Sequence, residues 1–177
     1  MLDKLRMHYG YILLAVVVLY AVGRYFYKKP SVINGETAPT FTSVQLDGTP
    51  FDLSTMRGQY ILLDFWGSWC GPCIDEVPKI KDLYQKFHGK AFKDATNFDV
   101  VSFGVEKDRN RWAAAIQQLD MQSWQNVSDF NYLESPITKL YGVRVIPTKF
   151  LLNTKGVIIG VNLSFEEMEK VLNEQLK

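Results

Sequence analysis

Hydrophobic and polar positions along the chain divide it into short strand-like runs and longer stretches with helical spacing. Residues 60–66 and 98–105 are short and largely apolar, which is typical of buried strands. Between these two runs, apolar side chains recur every three or four positions as far as Gly89, a residue that favours the end of a helix. This order predicts a β-α-β unit with parallel strands and a right-handed crossover.

The same patterns predict further elements on both sides of this unit. An alternating run at 41–46 and the turn signal Asp47-Gly48 predict a β-hairpin before the first buried strand. Beyond the second strand, the chain predicts a helix at 109–119, a loop or short strand at 122–133, a short helix at 136–141, a hairpin of strands 148–152 and 157–161, and a last helix that opens with a capping box at Ser164. Together these elements predict an α/β domain whose central mixed sheet has helices on both faces.

An apolar stretch precedes this domain. Residues 9–23 carry no charge, and aromatic residues stand near both ends of the stretch. Because a helix needs about 17–25 apolar residues to cross a bilayer, the pattern predicts one N-terminal transmembrane helix. A cleaved signal peptide stays open as an alternative, since Ala21-Val22-Gly23 is similar to a cleavage site. The predicted division is a tail at 1–8, an anchor at 9–27, a linker at 28–38 and a folded domain at 39–177.

Composition narrows the classes of function. The chain has 177 residues, a formal net charge of +1 and 47% hydrophobic residues, which is enough for one domain with a core plus an appendage. The balanced charge gives no indication of a nucleic-acid partner. Basic residues flank the predicted anchor on both sides, so charge alone does not orient it in a membrane.

The only two cysteines of the sequence, Cys70 and Cys73, follow the first buried strand and enclose the dipeptide Gly71-Pro72. The predicted helix begins at Cys70, where free amide groups and the helix dipole favour a thiolate. In such settings thiol pKa values fall to about 3.5 to 7, from about 8.5 for a free thiol. Cys70 is therefore the predicted nucleophile, and Cys73, one turn further on, is the predicted resolving thiol.

A metal site is the main structural alternative for a Cys-X-X-Cys pair. A structural zinc ion takes four ligands from cysteine and histidine side chains. The sequence has no second cysteine pair, and its only histidines are His8, in the N-terminal tail, and His88, which the pattern places on the surface in the last turn of the predicted helix. We therefore expect no metal site.

Three motifs carry a resemblance to a known superfamily. The stretch 64–73, DFWGSWCGPC, resembles the active-site signature of thioredoxins. Glu76 and Pro78 in CIDEVP resemble the membrane-anchored, extracytoplasmic TlpA/ResA/DsbE-like branch, and VIPT at 145–148 resembles the loop that carries a cis-proline in this family. The resemblance covers about residues 36–177 and implies a thioredoxin-like fold with an N-terminal β-hairpin extension.

The resemblance also implies roles for single residues. Asp64 matches a buried aspartate that exchanges protons with the second cysteine, whereas a partly exposed aspartate at a strand end is the alternative. Glu76 either tunes the thiols or only favours the helix dipole. Lys149, where relatives usually carry a small or uncharged residue, either biases partner choice or faces solvent. The substrate-binding residues implied are Trp69, Gly71, Pro72, Ile146 and Pro147, the last with a cis peptide bond.

The function implied is a membrane-tethered thiol-disulfide oxidoreductase that reduces protein disulfides outside the cytoplasm, in cytochrome c maturation or general thiol reduction. The Gly71-Pro72 dipeptide favours a reductase over the strongly oxidising relatives. The partners implied are protein disulfide substrates, a membrane or upstream thiol reductant, and the membrane itself through residues 9–27. We expect no cofactor beyond the Cys70–Cys73 disulfide, a monomeric state, and a single-pass cell-membrane protein with an extracytoplasmic catalytic domain.

Two other functions stay open at this point. A thiol peroxidase of the peroxiredoxin type shares the fold and the hairpin, but it requires a threonine three residues before its reactive cysteine, where this chain has Gly67. A non-catalytic binding or assembly module could use the cis-proline surface as a docking site. Such a module would not require two thiols at redox spacing.

Overall fold

The computed structural model of the chain describes the backbone of residues 2–177 and the side chains of residues 11–25, 27 and 29–177. The helices are α1 (Leu2–Lys28), α2 (Gly71–Phe87), α3 (Arg109–Gln118), α4 (Pro136–Tyr141) and α5 (Phe165–Gln175). The strands are β1 (Thr42–Gln45), β2 (Pro50–Asp52), β3 (Tyr60–Trp66), β4 (Phe98–Gly104), β5 (Gln125–Ser128), β6 (Thr148–Leu152) and β7 (Ile158–Val161).

All seven strands join one mixed sheet in the order β2-β1-β5-β4-β3-β6-β7. Strand β4 is parallel to both of its neighbours, β3 and β5, and all the other strand pairs are antiparallel. The structure confirms the predicted mixed sheet, the β3-α2-β4 unit and the two hairpins. The N-terminal hairpin is an integral edge of the sheet, because β1 pairs with β5.

Strand β5 lies in the stretch 122–133, whose polar composition gave no clear prediction. Two of its polar side chains are buried and bond to the backbone of their surroundings. Asn126 donates to the carbonyl oxygens of Met121 at 2.7 Å and Trp124 at 3.0 Å, and Ser128 donates to the carbonyl of Gly104 at 2.7 Å. Since buried polar groups must be paired, these bonds let polar residues occupy an inner strand.

Strand β3 is the centre of the fold, with all seven of its residues buried. Its side chains alternate between two apolar clusters. Leu62 and Trp66 pack with α2 and its cysteines, and Leu63 and Phe65 pack with α4 on the opposite face. Because side chains along a strand alternate between the faces of a sheet, Asp64 lies on the same face as the cysteines.

The ends of the last two helices follow the sequence signals. Gly142 ends α4 with a φ of 64°, a conformation that glycine adopts without strain. Ser164 and Glu167 form the predicted capping box at the start of α5: each side chain accepts a hydrogen bond from the backbone amide of the other.

Residues 35–38, in the expected linker, pair with the outer strand of the sheet. Gly35 donates to the carbonyl of Ile158 at 2.8 Å, and Ala38 donates to the carbonyl of Gly156 at 2.9 Å. Thr37 forms an isolated antiparallel bridge with Val157. This segment, which we call the strap, therefore covers the start of the β7 edge.

Helix α1 is continuous, and its described apolar side chains are exposed; the exposed fractions of Leu13 and Leu19 are 69% and 71%. Arg144 of the domain donates to the carbonyl of Tyr27 at 3.2 Å and lies over its ring. Within the residues that the structure describes, no helix is both long and apolar enough to cross a membrane, so the transmembrane helix expected at 9–27 is unsupported. The side chains at 1–10, including the expected tail at 1–8, lie outside the described residues.

Candidate active site

Cys70 and Cys73 form a disulfide, with their Cα atoms 5.3 Å apart. Cys70 is the N-cap of α2, and its Sγ accepts a hydrogen bond from the amide of Cys73 at 3.3 Å. The exposed fraction is 6% for Cys70 and 2% for Cys73. Cys70 is thus the more exposed residue of this buried pair, and it lies where the helix amides favour a thiolate after reduction.

The loop between β3 and α2 presents three of the expected substrate-binding residues. Trp69 is 38% exposed, its indole N–H donates to the carbonyl of Val105 at 2.9 Å, and its ring lies 5.2 Å from that of Tyr132. Gly71 and Pro72 are exposed at the start of α2. A Cβ added at Gly67 would approach the Trp69 ring to 2.8 Å, so the threonine of a peroxiredoxin-type site does not fit here.

The loop before β6 lies beside the disulfide loop. The peptide bond between Ile146 and Pro147 is cis, and both residues are half-buried. In the β3–β6 pairing, Thr148 is opposite Phe65, so Pro147 lies next to the end of β3 from which the cysteine loop starts. The hydroxyl of Thr148 donates to the carbonyl of Val145 at 2.7 Å, and this hydrogen bond stabilises the loop.

Sequence reasoning missed Glu106, whose side chain bonds to the backbone of the loop that leads to the cysteines. Glu106 follows β4, is 2% exposed, and its carboxylate accepts a hydrogen bond from the backbone amide of Ser68. Burial raises the pKa of Glu106, and the bond from Ser68 opposes this rise. One signal was available: the carboxyl ends of parallel strands meet at one edge of a sheet, so an acidic residue just after β4 lies near the end of β3.

Asp64 is buried behind the disulfide, with only 2% of its surface exposed. The alternative interpretation, a partly exposed aspartate at a strand end, is therefore wrong. Burial raises the pKa of Asp64 to about 7, whereas the charge of Lys149 lowers this pKa and the charge of Glu76 raises it. A carboxyl group with a pKa near neutrality can take up and release a proton under physiological conditions.

Lys149 lies directly opposite Asp64 in the β3–β6 pairing. It is 6% exposed, and its ammonium group contacts the Glu76 carboxylate at 2.5 Å. The expectation that Lys149 faces solvent is wrong, because the pairing places its side chain on the face covered by α2. Glu76 retains 27% side-chain exposure and is engaged in this pair.

The disulfide, the two loops and the buried charges are thus brought together at one end of the sheet. The arrangement provides two cysteines at the start of a helix and a carboxyl group suited to proton exchange on the same face, the groups that thiol-disulfide exchange requires. Among the described residues, no group of three or more His, Cys, Asp or Glu side chains is placed to hold a metal ion.

Comparison with known proteins identifies related sequences and structures. A family model described as Redoxin matches residues 33–176. The thiol-disulfide oxidoreductase ResA of Bacillus thuringiensis subsp. konkukian is 30% identical, over 86% of this chain and 82% of that protein. ResA of Geobacillus kaustophilus is also 30% identical, over 89% of both chains. The solved structure of a thiol-disulfide oxidoreductase from Bacteroides fragilis is 31% identical, covers 78% of this chain and 98% of that one, and has a TM-score of 0.69.

We predict that Asp64 makes the oxidised protein less stable as the pH rises. Between the pKa of an unfolded aspartate, about 3.9, and the folded value of about 7, the native state binds more protons than the unfolded state. Raising the pH through this window therefore lowers the free energy of unfolding, by up to about 1.4 kcal/mol per pH unit. Asp64→Asn should abolish this contribution in urea unfolding measured at several pH values.

Asp75→Asn is the matched control, because Asp75 is an exposed aspartate on α2. This variant should keep the pH dependence of the wild type. An Asp64→Asn variant with the same pH dependence as the wild type would contradict the assignment.

A second prediction concerns Glu106. Glu106→Ala leaves the buried amide of Ser68 without its acceptor, so the free energy of unfolding should fall by about 1–3 kcal/mol. Glu106→Gln keeps an acceptor oxygen and should lose less stability. Urea unfolding of both variants checks this order, and equal losses in the two would argue against the hydrogen bond as the cause.

Proposed function

The chain belongs to the Redoxin family of thioredoxin-like thiol-disulfide oxidoreductases, and from this premise we propose that it reduces protein disulfides outside the cytoplasm. The observation that carries the proposal is the Cys70–Cys73 pair at the start of α2, with Asp64 buried on the same face of the sheet. The related proteins named ResA support the reaction class.

The reaction begins from the dithiol form of the pair. The Cys70 thiolate attacks one sulfur of the substrate disulfide, a bond forms between Cys70 and that sulfur, and the other substrate sulfur leaves as a thiolate that takes a proton from water. The amides at the start of α2 stabilise the attacking thiolate. Because Cys70 is the more exposed residue of the pair and begins the helix, it is the cysteine that meets the substrate first in this proposal.

The second step releases the substrate. The Cys73 thiol gives its proton to the Asp64 carboxylate, and the resulting thiolate attacks Sγ of Cys70. The Cys70–Cys73 disulfide closes, and the second substrate sulfur leaves as a thiolate that is protonated. Two electrons have then passed from the cysteine pair to the substrate, and a dithiol donor upstream must return two electrons and two protons to the pair.

The exposed rim of the site is suited to an extended substrate segment. Trp69 is exposed directly before Cys70, and both Trp69 and Ile146 of the half-buried Ile146-Pro147 loop lie next to Gly67. The backbone of Ile146 can pair with an extended peptide by strand addition, which would align the substrate disulfide with Cys70. The proposed substrates are therefore flexible protein segments that contain a disulfide, such as those reduced in cytochrome c maturation.

We also propose that α1 tethers this domain to a lipid membrane. The described side chains at 11–22 are uncharged, and the large apolar ones are 46–71% exposed. Burying such a surface in lipid is favourable at about 25 cal/mol per Å² of apolar area. The resemblance to anchored relatives supports an extracytoplasmic position for the domain.

The prediction for the reaction is that the protein reduces insulin disulfides in the presence of dithiothreitol. Cys70→Ser should abolish the reaction because it removes the attacking sulfur, and Cys73→Ser should trap a mixed disulfide between Cys70 and the substrate. The reduction potential of the pair should lie near the value of about −270 mV known for thioredoxin. A value near −120 mV would identify an oxidant and overturn the proposed direction.

The prediction for the tether is that the full chain sediments with membranes. Leu14→Lys combined with Val18→Lys should release it, because two charged side chains on the apolar surface of α1 oppose its burial in lipid. Leu140→Lys is the control, since Leu140 is 46% exposed on the domain and its substitution should leave the protein with the membranes. Release by the control as well would contradict the tether.

A further inference from the structure

The charged groups on the disulfide's face of the sheet indicate a role for Lys149. We propose that Lys149 is a positioning residue that gives the two nearby carboxyl groups different tasks: it holds Glu76 as its ion-pair partner and leaves Asp64 to exchange protons with Cys73. The inference rests on the proposed function for the role of Cys73.

Three elements converge on Lys149. Strand β3 contributes Asp64 from the paired position, and α2 contributes Glu76, whose carboxylate bonds to the ammonium group at 2.5 Å. From α5, the ring of Phe165 lies 5.4 Å from the ammonium nitrogen and covers the pair. On the β7 side, Asn162 accepts a hydrogen bond from the amide of Lys149 at 2.8 Å, which fixes the strand beneath the side chain.

Two further charged groups lie near the covering ring, and both differ from Lys149 in exposure. Lys79 of α2 lies 5.7 Å from the centroid of the Phe165 ring, and Glu166 of α5 follows that ring in the chain. Both side chains belong to exposed residues. Their charges are therefore screened by solvent, whereas the charges of Lys149 and Asp64 interact through the protein interior.

The two carboxyl groups differ in their contact with Lys149 and in their burial. Glu76 contacts the ammonium group directly, and 27% of its side chain stays exposed to solvent. Asp64 is 2% exposed and more strongly desolvated, which disfavours its ionised form. The buried cation is thus bonded to Glu76, and Asp64 lies opposite it in the sheet as the more deeply buried of the two carboxyl groups.

The proposal makes opposite predictions for two single variants. Lys149→Met removes the cation that favours ionised Asp64, so the pKa of Asp64 should rise by about one unit or more. Glu76→Gln removes the competing anion and frees Lys149 for Asp64, so the pKa of Asp64 should fall. A loss of packing alone would not shift this pKa in opposite directions.

The test is the titration midpoint of Asp64, read from its ¹³Cγ NMR resonance in the full-length oxidised protein. Asp64→Asn assigns the resonance by removing it. Lys149→Arg preserves the charge and should keep the midpoint near that of the wild type. Lys79→Met is the matched control, because it removes a lysine beside the same aromatic ring and should leave the midpoint unchanged.

Lys149→Met leaves Glu76 without its partner and can prevent folding, so a double variant supplies a second test. Lys149→Met combined with Glu76→Gln has no unpaired partner charge, and its Asp64 midpoint should exceed that of Glu76→Gln alone. Equal midpoints in these two proteins would overturn the proposal. Shifts of the same sign in Lys149→Met and Glu76→Gln, or shifts no larger than that of Lys79→Met, would also overturn it.

A second measurement connects the midpoint to the reaction. In each variant, the pH of half-maximal insulin reduction should move in the same direction as the Asp64 midpoint. A midpoint that moves while the pH profile of reduction stays fixed would refute the link to Cys73. Because the NMR titration needs no substrate, it decides the electrostatic role of Lys149 even in a protein that fails to reduce insulin.

Discussion

The burial of a carboxyl group in the central strand is the constraint on which the site depends. Asp64 lies in β3, whose residues are all buried, on the face that α2 covers. A carboxylate in this position is costly unless it is neutralised or paired. The structure meets this cost by raising the pKa of Asp64 to about 7 and by placing a lysine opposite it. The same burial gives the carboxyl group a pKa suited to proton exchange with a thiol.

The accessible side of the site follows from a different property of the sheet. The ends of β3 and β4 and the start of β6 meet at one edge, so loops distant in the sequence become neighbours there. Glu106 holds the amide of Ser68, Trp69 bonds to the carbonyl of Val105, and the cis peptide bond at Pro147 lies alongside. These backbone contacts fix the rim around Cys70, while the exposed Trp69 and the start of α2 remain available to a substrate.

Much of this architecture could be predicted from local sequence patterns. The apolar runs of β3 and β4, the helical spacing of α2 and the capping box at Ser164 each depend on residues close together in the chain. The spacing of Cys70 and Cys73 likewise predicted that the two residues pair in a disulfide. The cis bond at Pro147 came only from the resemblance, since most X-Pro bonds are trans.

The features that escaped prediction depend on distant partners. Strand β5 was ambiguous because buried Asn126 and Ser128 are satisfied by backbone groups that the sequence does not reveal. Glu106 has its partner in another loop, and two interpretations of Lys149 stayed open because the pattern within its own strand does not define its partner across the sheet. The predicted transmembrane helix rested on the uncharged stretch 9–23 and the aromatic residues near its ends, and among the described residues the structure does not support it.

The strap at 35–38 limits how far the disulfide can lie from α1. The strap's hydrogen bonds to the carbonyls of Gly156 and Ile158 attach the chain to the sheet soon after α1 ends. Even earlier in the chain, the amide of Ser31 donates to the carbonyl of Tyr141 at 3.2 Å. An extended chain spans at most about 3.5 Å per residue, so the few residues between Lys28 and these anchoring points allow little slack. Wherever α1 is held, the disulfide therefore stays at a short and nearly constant distance from the end of that helix.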